Sequence, residues 1–137
     1  MDQDINKFIT SIGATEPSTT DEIFRTFRQI FKRSNYFILN GSFIIVKISR
    51  SKKPFWGVGK DYIDFLNSLE NYHLVLLSAS SEGWVFNKNE INQFINSKKW
   101  NLREEDNNYK INMPLPDKNS FLGPKGFFRK SGIKESS

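Results

Sequence analysis

The chain has 137 residues, a length that fits one domain with a continuous core of its own. It holds no cysteine, which excludes disulfides, thiolate zinc sites and a cysteine nucleophile, and fits a reducing, cytoplasmic home. Twenty Lys and Arg against fifteen Asp and Glu leave a net charge of +5, which favours an anionic partner where the excess is clustered.

No apolar run is long enough to span a bilayer, and Met1-Asp2-Gln3-Asp4 is acidic where a secretory signal would be basic, so neither a membrane partner nor export is expected. Phe, Tyr and Trp make up 15% of the residues, more than one small core needs, so some rings are expected at the surface.

Ile5, Phe8, Ile9 and Ile12 recur at helical spacing and Gly13 follows as a left-handed stop, which predicts a short amphipathic helix. A linker over Thr15 to Thr20 ends in a capping box, Thr19 with Glu22. The second helix then carries Ile23, Phe24, Phe27, Ile30 and Phe31 as its buried stripe to about Arg33, with Arg25, Arg28 and Lys32 on another face. Tyr36 to Leu39 and Ser42 to Ile48 are β-rich runs joined by Asn40-Gly41, the dipeptide suited to a type I′ hairpin turn.

Tyr62, Ile63, Leu66 and Leu69 mark a third helix over roughly Lys60 to Glu70. His73 to Ser78 is an almost unbroken apolar run, the pattern of a central strand covered on both faces. Trp84-Val85-Phe86 continues it after a turn at Ser80 to Gly83, and Asn87 with Glu90 opens a fourth helix bearing Ile91, Phe94 and Ile95. Trp100 to Arg103 and Tyr109 to Ile111 flank a polar hairpin loop. After Met113 to Pro116 regular structure is expected to fade, because Gly123, Pro124, Gly126 and Gly132 interrupt the segment that holds Phe121, Lys125, Phe127, Phe128, Arg129 and Lys130.

Trp56 to Leu66 echoes Trp84 to Phe94 at an offset of 28 residues, each copy a Trp-led strand that enters a helix at Lys. The echo predicts a repeated hairpin-plus-helix unit. The fold class is therefore α+β: residues 1–116 form a single domain, helical over 1–33 and sheet-containing over 36–112. Its hairpins alternate with helices around one mixed or antiparallel sheet, behind an N-terminal helical pair. Residues 117–137 form a basic aromatic tail or strap.

Cations beside large aromatics carry the chemistry. Arg25, Arg28 and Lys32, continued by Arg33, form a helix ridge that no acid interrupts, able to lie along a phosphate backbone or simply to face solvent. Arg50, Lys52 and Lys53 precede Phe55 and Trp56, so phosphates and a base can be met together. The echo makes Trp56 and Trp84 paired core anchors and leaves Phe55, which has no counterpart, as the stacking ring. Neither G-x-x-x-x-G-K-[ST] nor G-x-G-x-x-G is present around Gly57 and Gly59, and no cofactor is expected.

Glu22 on an early helix, the Asn40-Gly41 hairpin and Lys47 on a strand with a helix following are an order that resembles the PD-(D/E)XK nucleases. That resemblance implies a divalent ion held by carboxylates. Here Ile45 stands two before Lys47 and Asn40 stands where an Asp is expected, so it implies a degenerate, catalytically silent copy and no metal. His73, the only histidine, reads as structural, and Glu82, Glu90, Glu104, Glu105 and Asp106 as solvating or capping acids rather than catalytic ones. The leading expectation is a non-catalytic domain that binds nucleic acid, DNA or RNA, through Arg25, Arg28, Lys32, Arg33, Arg50, Lys52, Lys53 and Phe55. The alternative is a protein-interaction module, and the degenerate nuclease is third.

Overall fold

The computed structural model describes residues 2–18, 20–30 and 36–135. Thr19 of the predicted capping box, Phe31 of the predicted stripe, and Lys32 and Arg33 of the ridge lie outside them. Helix α1 (Gln3–Ile12) begins where the Asp2 carboxylate accepts from the Asp4 N–H at 2.9 Å, and it stops at Gly13 with φ 76°. In α2 (Glu22–Ile30) the Asp21 carboxylate accepts from the Phe24 N–H at 3.0 Å. Phe27 is fully buried, but Ile23, expected in the same stripe, is 46% exposed. The first turn of α2 overhangs a groove floored by Pro17, Ile38 and Leu69, which none of the other described side chains fills.

Strands β1 (Tyr36–Leu39) and β2 (Ser42–Ile48) form the predicted hairpin, with φ 45° at Asn40 and 83° at Gly41, the two positive values a type I′ turn requires. β2 runs parallel to β4 (Tyr72–Ala79), β4 antiparallel to β5 (Glu82–Asn87), and β5 antiparallel to β8 (Ser120–Leu122). The sheet order is β1-β2-β4-β5-β8. Alternation along the two central strands divides the core: Ile44, Val46, Val75 and Leu77 face α1, while Phe43, Ile45, Leu74 and Leu76 face α2 and the helices that follow.

Helix α3 (Lys60–Leu66) ends short of the predicted Glu70. There the Asn67 side chain turns to Asn92 and accepts from the Tyr72 hydroxyl at 2.9 Å, and Ser68 Oγ donates to the Phe65 carbonyl. Helix α4 (Lys88–Asn96) opens on the predicted box, with Asn87 Oδ1 accepting from the Glu90 N–H at 2.9 Å and Glu90 Oε1 from the Asn87 N–H at 3.0 Å.

The α+β architecture read from the sequence is the one the chain adopts, with its strands divided between two sheets. The second is three-stranded and antiparallel, in the order β3 (Phe55–Gly59), β7 (Asn108–Asn112), β6 (Asn101–Arg103). The echo therefore gives one true hairpin, β4–β5, and one strand that departs. β2 already has β1 on one edge and β4 on the other, so β3 must leave the main sheet and pair with β7.

Regular structure also continues past Pro116, against expectation. A 3-10 turn (Asp117–Asn119) leads to β8 and to α5 (Gly123–Ser131), which has Pro124 in its first turn and Gly132 as its left-handed cap. A proline there loses no helix hydrogen bond. Phe121, Phe127 and Phe128 are buried in the α1 face of the core, with Phe127 edge-on to Phe8 at 5.3 Å. Their burial outweighs the roughly 1 kcal/mol that an interior glycine such as Gly126 costs a helix.

Candidate functional site

At Ile48 the chain leaves the main sheet and turns through residues 49–54 into β3. Two serines brace the turn: Ser49 Oγ accepts from the Phe55 N–H at 3.4 Å and lies 3.3 Å from Ser51 Oγ, which donates to the Lys53 carbonyl at 2.9 Å. Lys52, Lys53 and Phe55 all stand exposed on this frame, Phe55 by 54%. Lys110, which pairs with Gly57 across the small sheet, brings its Nζ to 5.7 Å from the centre of the Phe55 ring. These residues, with Asn112 and Met113, line an open depression of about 620 Å3.

Among the described residues no carboxylate pairs with Lys52, Lys53 or Lys110. Three uncompensated cations thus surround one exposed ring. The ammonium groups can neutralise phosphates while the phenyl face stacks on a base. Lys110, Asn112 and Met113 were not legible as part of this site. The alternation of Asn108, Lys110 and Asn112 with Tyr109 and Ile111 marks an outward face, but nothing local says which strand lies beside it.

The other candidates fall elsewhere. The Arg50 guanidinium lies 2.5 Å from Asp2 and 2.9 Å from Asp4, contacts that raise its own pKa and lower that of Asp2. Its charge is met by Asp2 and Asp4 at the start of α1, so Arg50 ties that helix to the end of β2. Arg25 and Arg28 are exposed on α2, and neither lines the Phe55 depression. Arg28 reaches the Tyr36 hydroxyl, whose pKa burial raises and the guanidinium lowers. Trp56 is buried, its ring edge-on to Trp84 at 5.6 Å and its Nε1–H donating to the Leu77 carbonyl at 3.2 Å.

Lys47 lies half-buried at the end of β2 with its Nζ 5.3 Å from the centre of the Tyr62 ring, and desolvation lowers its pKa. Ile45, two residues before it, is fully buried in the core. Among the described residues no three His, Asp or Glu side chains are arranged to hold a metal ion. Of the acids, Asp106 pairs with Arg103 at 2.6 Å, and Glu90 caps α4 and accepts from Asn119. No helix among these residues is long and apolar enough to cross a membrane.

His73 has partners that its sequence neighbours do not reveal. Its Nε2 lies 3.1 Å from the Ser131 carbonyl, which can only accept, so that nitrogen carries the proton and Nδ1 accepts from Ser42 Oγ at 2.7 Å. The group orienting the ring is a neutral carbonyl rather than a carboxylate, and Ser42 is only 4% exposed. The trio is a latch that joins the end of α5 to the starts of β2 and β4.

Burial lowers the His73 pKa from its usual 6.5, against the Ser131 carbonyl and Glu90, which raise it. The folded state therefore favours the neutral ring. Its contribution to stability is complete above about pH 6.5 and is lost as the pH falls through the lowered folded value. Urea unfolding from about pH 7 to pH 5 is expected to lose more stability in the wild type than in His73→Asn, and parallel profiles would contradict the assignment.

No protein-family model matches this chain, and no curated protein or solved structure shows significant similarity to it.

Proposed function

We propose that this chain is a non-catalytic nucleic-acid-binding domain whose interface is the outer face of the small sheet together with the turn at residues 49–54. The observation that carries the reading is the exposed Phe55 ring flanked by Lys52, Lys53 and Lys110. Contacts from flexible lysines to phosphates are independent of sequence and sensitive to salt. The absence of cysteine suits a reducing compartment, and the domain acts in the cytoplasm.

Salt-titrated binding of the full chain to DNA and RNA tests the reading. Lys52→Glu/Lys53→Glu/Lys110→Glu is expected to weaken binding at least tenfold and to cut the salt dependence by about two to three phosphate contacts, each worth a slope of about 0.7 to 0.9. All three side chains are exposed, so the variant keeps its fold. Equal binding and an equal slope would rule this surface out.

A second reading, a protein-interaction module, has one observation in its favour: Ile23 is exposed at an apolar groove of about 310 Å3 with Phe24, Ile38, Phe43 and Leu69. It requires a partner whose binding is insensitive to salt and lost in Ile23→Glu, a substitution that leaves nucleic-acid binding unchanged.

A further inference from the structure

We propose that the nucleic acid taken by this surface is single-stranded, with one base stacked on Phe55 and its neighbour seated over the bare backbone of Gly57; the inference rests on the nucleic-acid reading above. In the small sheet Trp56, Val58, Tyr109 and Ile111 turn inward, so Phe55, Gly57, Lys110 and Asn112 turn outward. The register sets Phe55 opposite Asn112, and Gly57 opposite Lys110. A side chain at position 57 would stand in the middle of this face, yet a Cβ built there meets nothing within 4 Å. The glycine leaves a floor of peptide backbone beside the phenyl ring.

That floor is a depression in its own right. It has a volume of about 200 Å3 and is lined by Phe55, Gly57, Asn108, Lys110 and the Arg103–Asp106 ion pair among others. It shares Phe55 and Lys110 with the larger lysine-lined depression, so the ring and the ammonium group form the wall between the two. Successive bases of a strand can occupy the two sides of that wall, with their phosphates toward Lys52 and Lys53. The amides of Asn108 and Asn112 lie one in each depression, where they can donate to and accept from base edges.

The same surface is poorly made for a duplex. Base faces inside a double helix are stacked on one another and closed to a phenyl ring, and the major groove admits a helix or a two-stranded ribbon rather than the broad face of a three-stranded sheet. At the far end, the β6–β7 loop carries Glu104 and Glu105, which repel a second phosphate backbone. A flexible single strand can run from the floor toward the lysines and away from Glu104 and Glu105.

The test is a titration of the full chain with an unstructured DNA strand, the same sequence as RNA, and the corresponding DNA duplex. Single strands of at least one sugar type are expected to bind about tenfold or more tightly than the duplex. Phe55→Ala is expected to weaken single-strand binding roughly 5- to 150-fold, Phe55→Trp to retain it, and Gly57→Val to weaken it by filling the floor. Both positions are open, so thermal melts are expected to stay at the wild-type value. Duplex binding as tight as single-strand binding, or a Phe55→Ala variant with unchanged affinity, would overturn this inference while leaving the lysine-dependent reading intact. No binding to any of the three would overturn both.

Discussion

Trp56→Ala is expected to destabilise the fold by about 3–5 kcal/mol, the range for removing a large buried aromatic ring. Trp56 is 2% exposed and is the first inward-facing residue of the small sheet. It contacts Trp84 of β5 at 5.6 Å and donates to the Leu77 carbonyl of β4 at 3.2 Å, so one side chain ties β3 to two neighbouring strands of the main sheet. The loss would be a large fraction of the ~5–15 kcal/mol that holds a domain of this kind together.

The carbonyl is not orphaned by the change, because the Ser49 N–H also donates to it at 3.0 Å. The cost is therefore lost packing rather than an unpaired acceptor, and Trp56→Phe is expected to lose only about 1–2 kcal/mol. Urea unfolding of the two variants checks the stabilities. On the nucleic-acid reading proposed above, a loosened small sheet no longer holds Phe55 and Lys110 together, so Trp56→Ala is expected to bind weakly even while folded, which binding measured well below the melting temperature checks. A Trp56→Ala variant with wild-type stability would show that the two sheets are not held together through this ring.

Gly83→Ala carries the second large effect. Gly83 pairs with Leu77 on one side and Phe121 on the other, where the β4–β5 register shifts between Leu77 and Ala79. A Cβ at Gly83 would lie 2.2 Å from the Leu76 carbonyl oxygen and 2.9 Å from Leu77 Cα. Both are backbone atoms of the central strand, which cannot rotate aside as a side-chain end would. The β4–β5 ladder must open, at a cost at or above the ~3 kcal/mol upper end of the usual overpacking range. Gly57→Ala is the matching control, since its Cβ meets open space, and it is expected to leave stability within about 1 kcal/mol of the wild type. Similar melting temperatures for the two alanine variants would refute the steric argument.

Much of the local structure was legible because local rules and tertiary burial agree. The Asn40-Gly41 turn, the Asn87–Glu90 box and the Gly13 stop each satisfy backbone groups within a few residues, so each is set by its own short segment. The apolar run at Leu74 to Leu77 announces a strand covered on both faces, and all four side chains are fully buried. Where the rules disagree with burial, burial decides. Gly123, Pro124, Gly126 and Gly132 speak against order after Pro116, yet they bracket a helix because Phe127 and Phe128 dock on α1.

The candidate site divides in the same way. That a basic, aromatic turn precedes Phe55, and that Trp56 belongs to the core, follows from the residues and from the comparison of Trp56 with Trp84. Two features do not follow. Arg50 loses its free charge to Asp2 and Asp4, which lie 48 and 46 positions away in the chain. Lys110 joins Phe55 because β7, rather than β2, is the partner of β3. Charge pairing and strand pairing across such separations depend on which edges other strands have already occupied, and no window of sequence contains that information.

The sequence by itself determined the α+β class, the turns and caps, the two-faced central strand, the +5 charge and the basic-aromatic insert, because these depend on composition and on neighbours within a turn or a strand. Only the tertiary structure decided which cations stay unpaired and that Lys110 stands beside the Phe55 ring. It also decided that the C-terminal segment completes the main sheet and that His73 latches it. Each of these depends on contacts between segments far apart in the chain, where a buried surface or an opposite charge becomes available only once the sheets have formed.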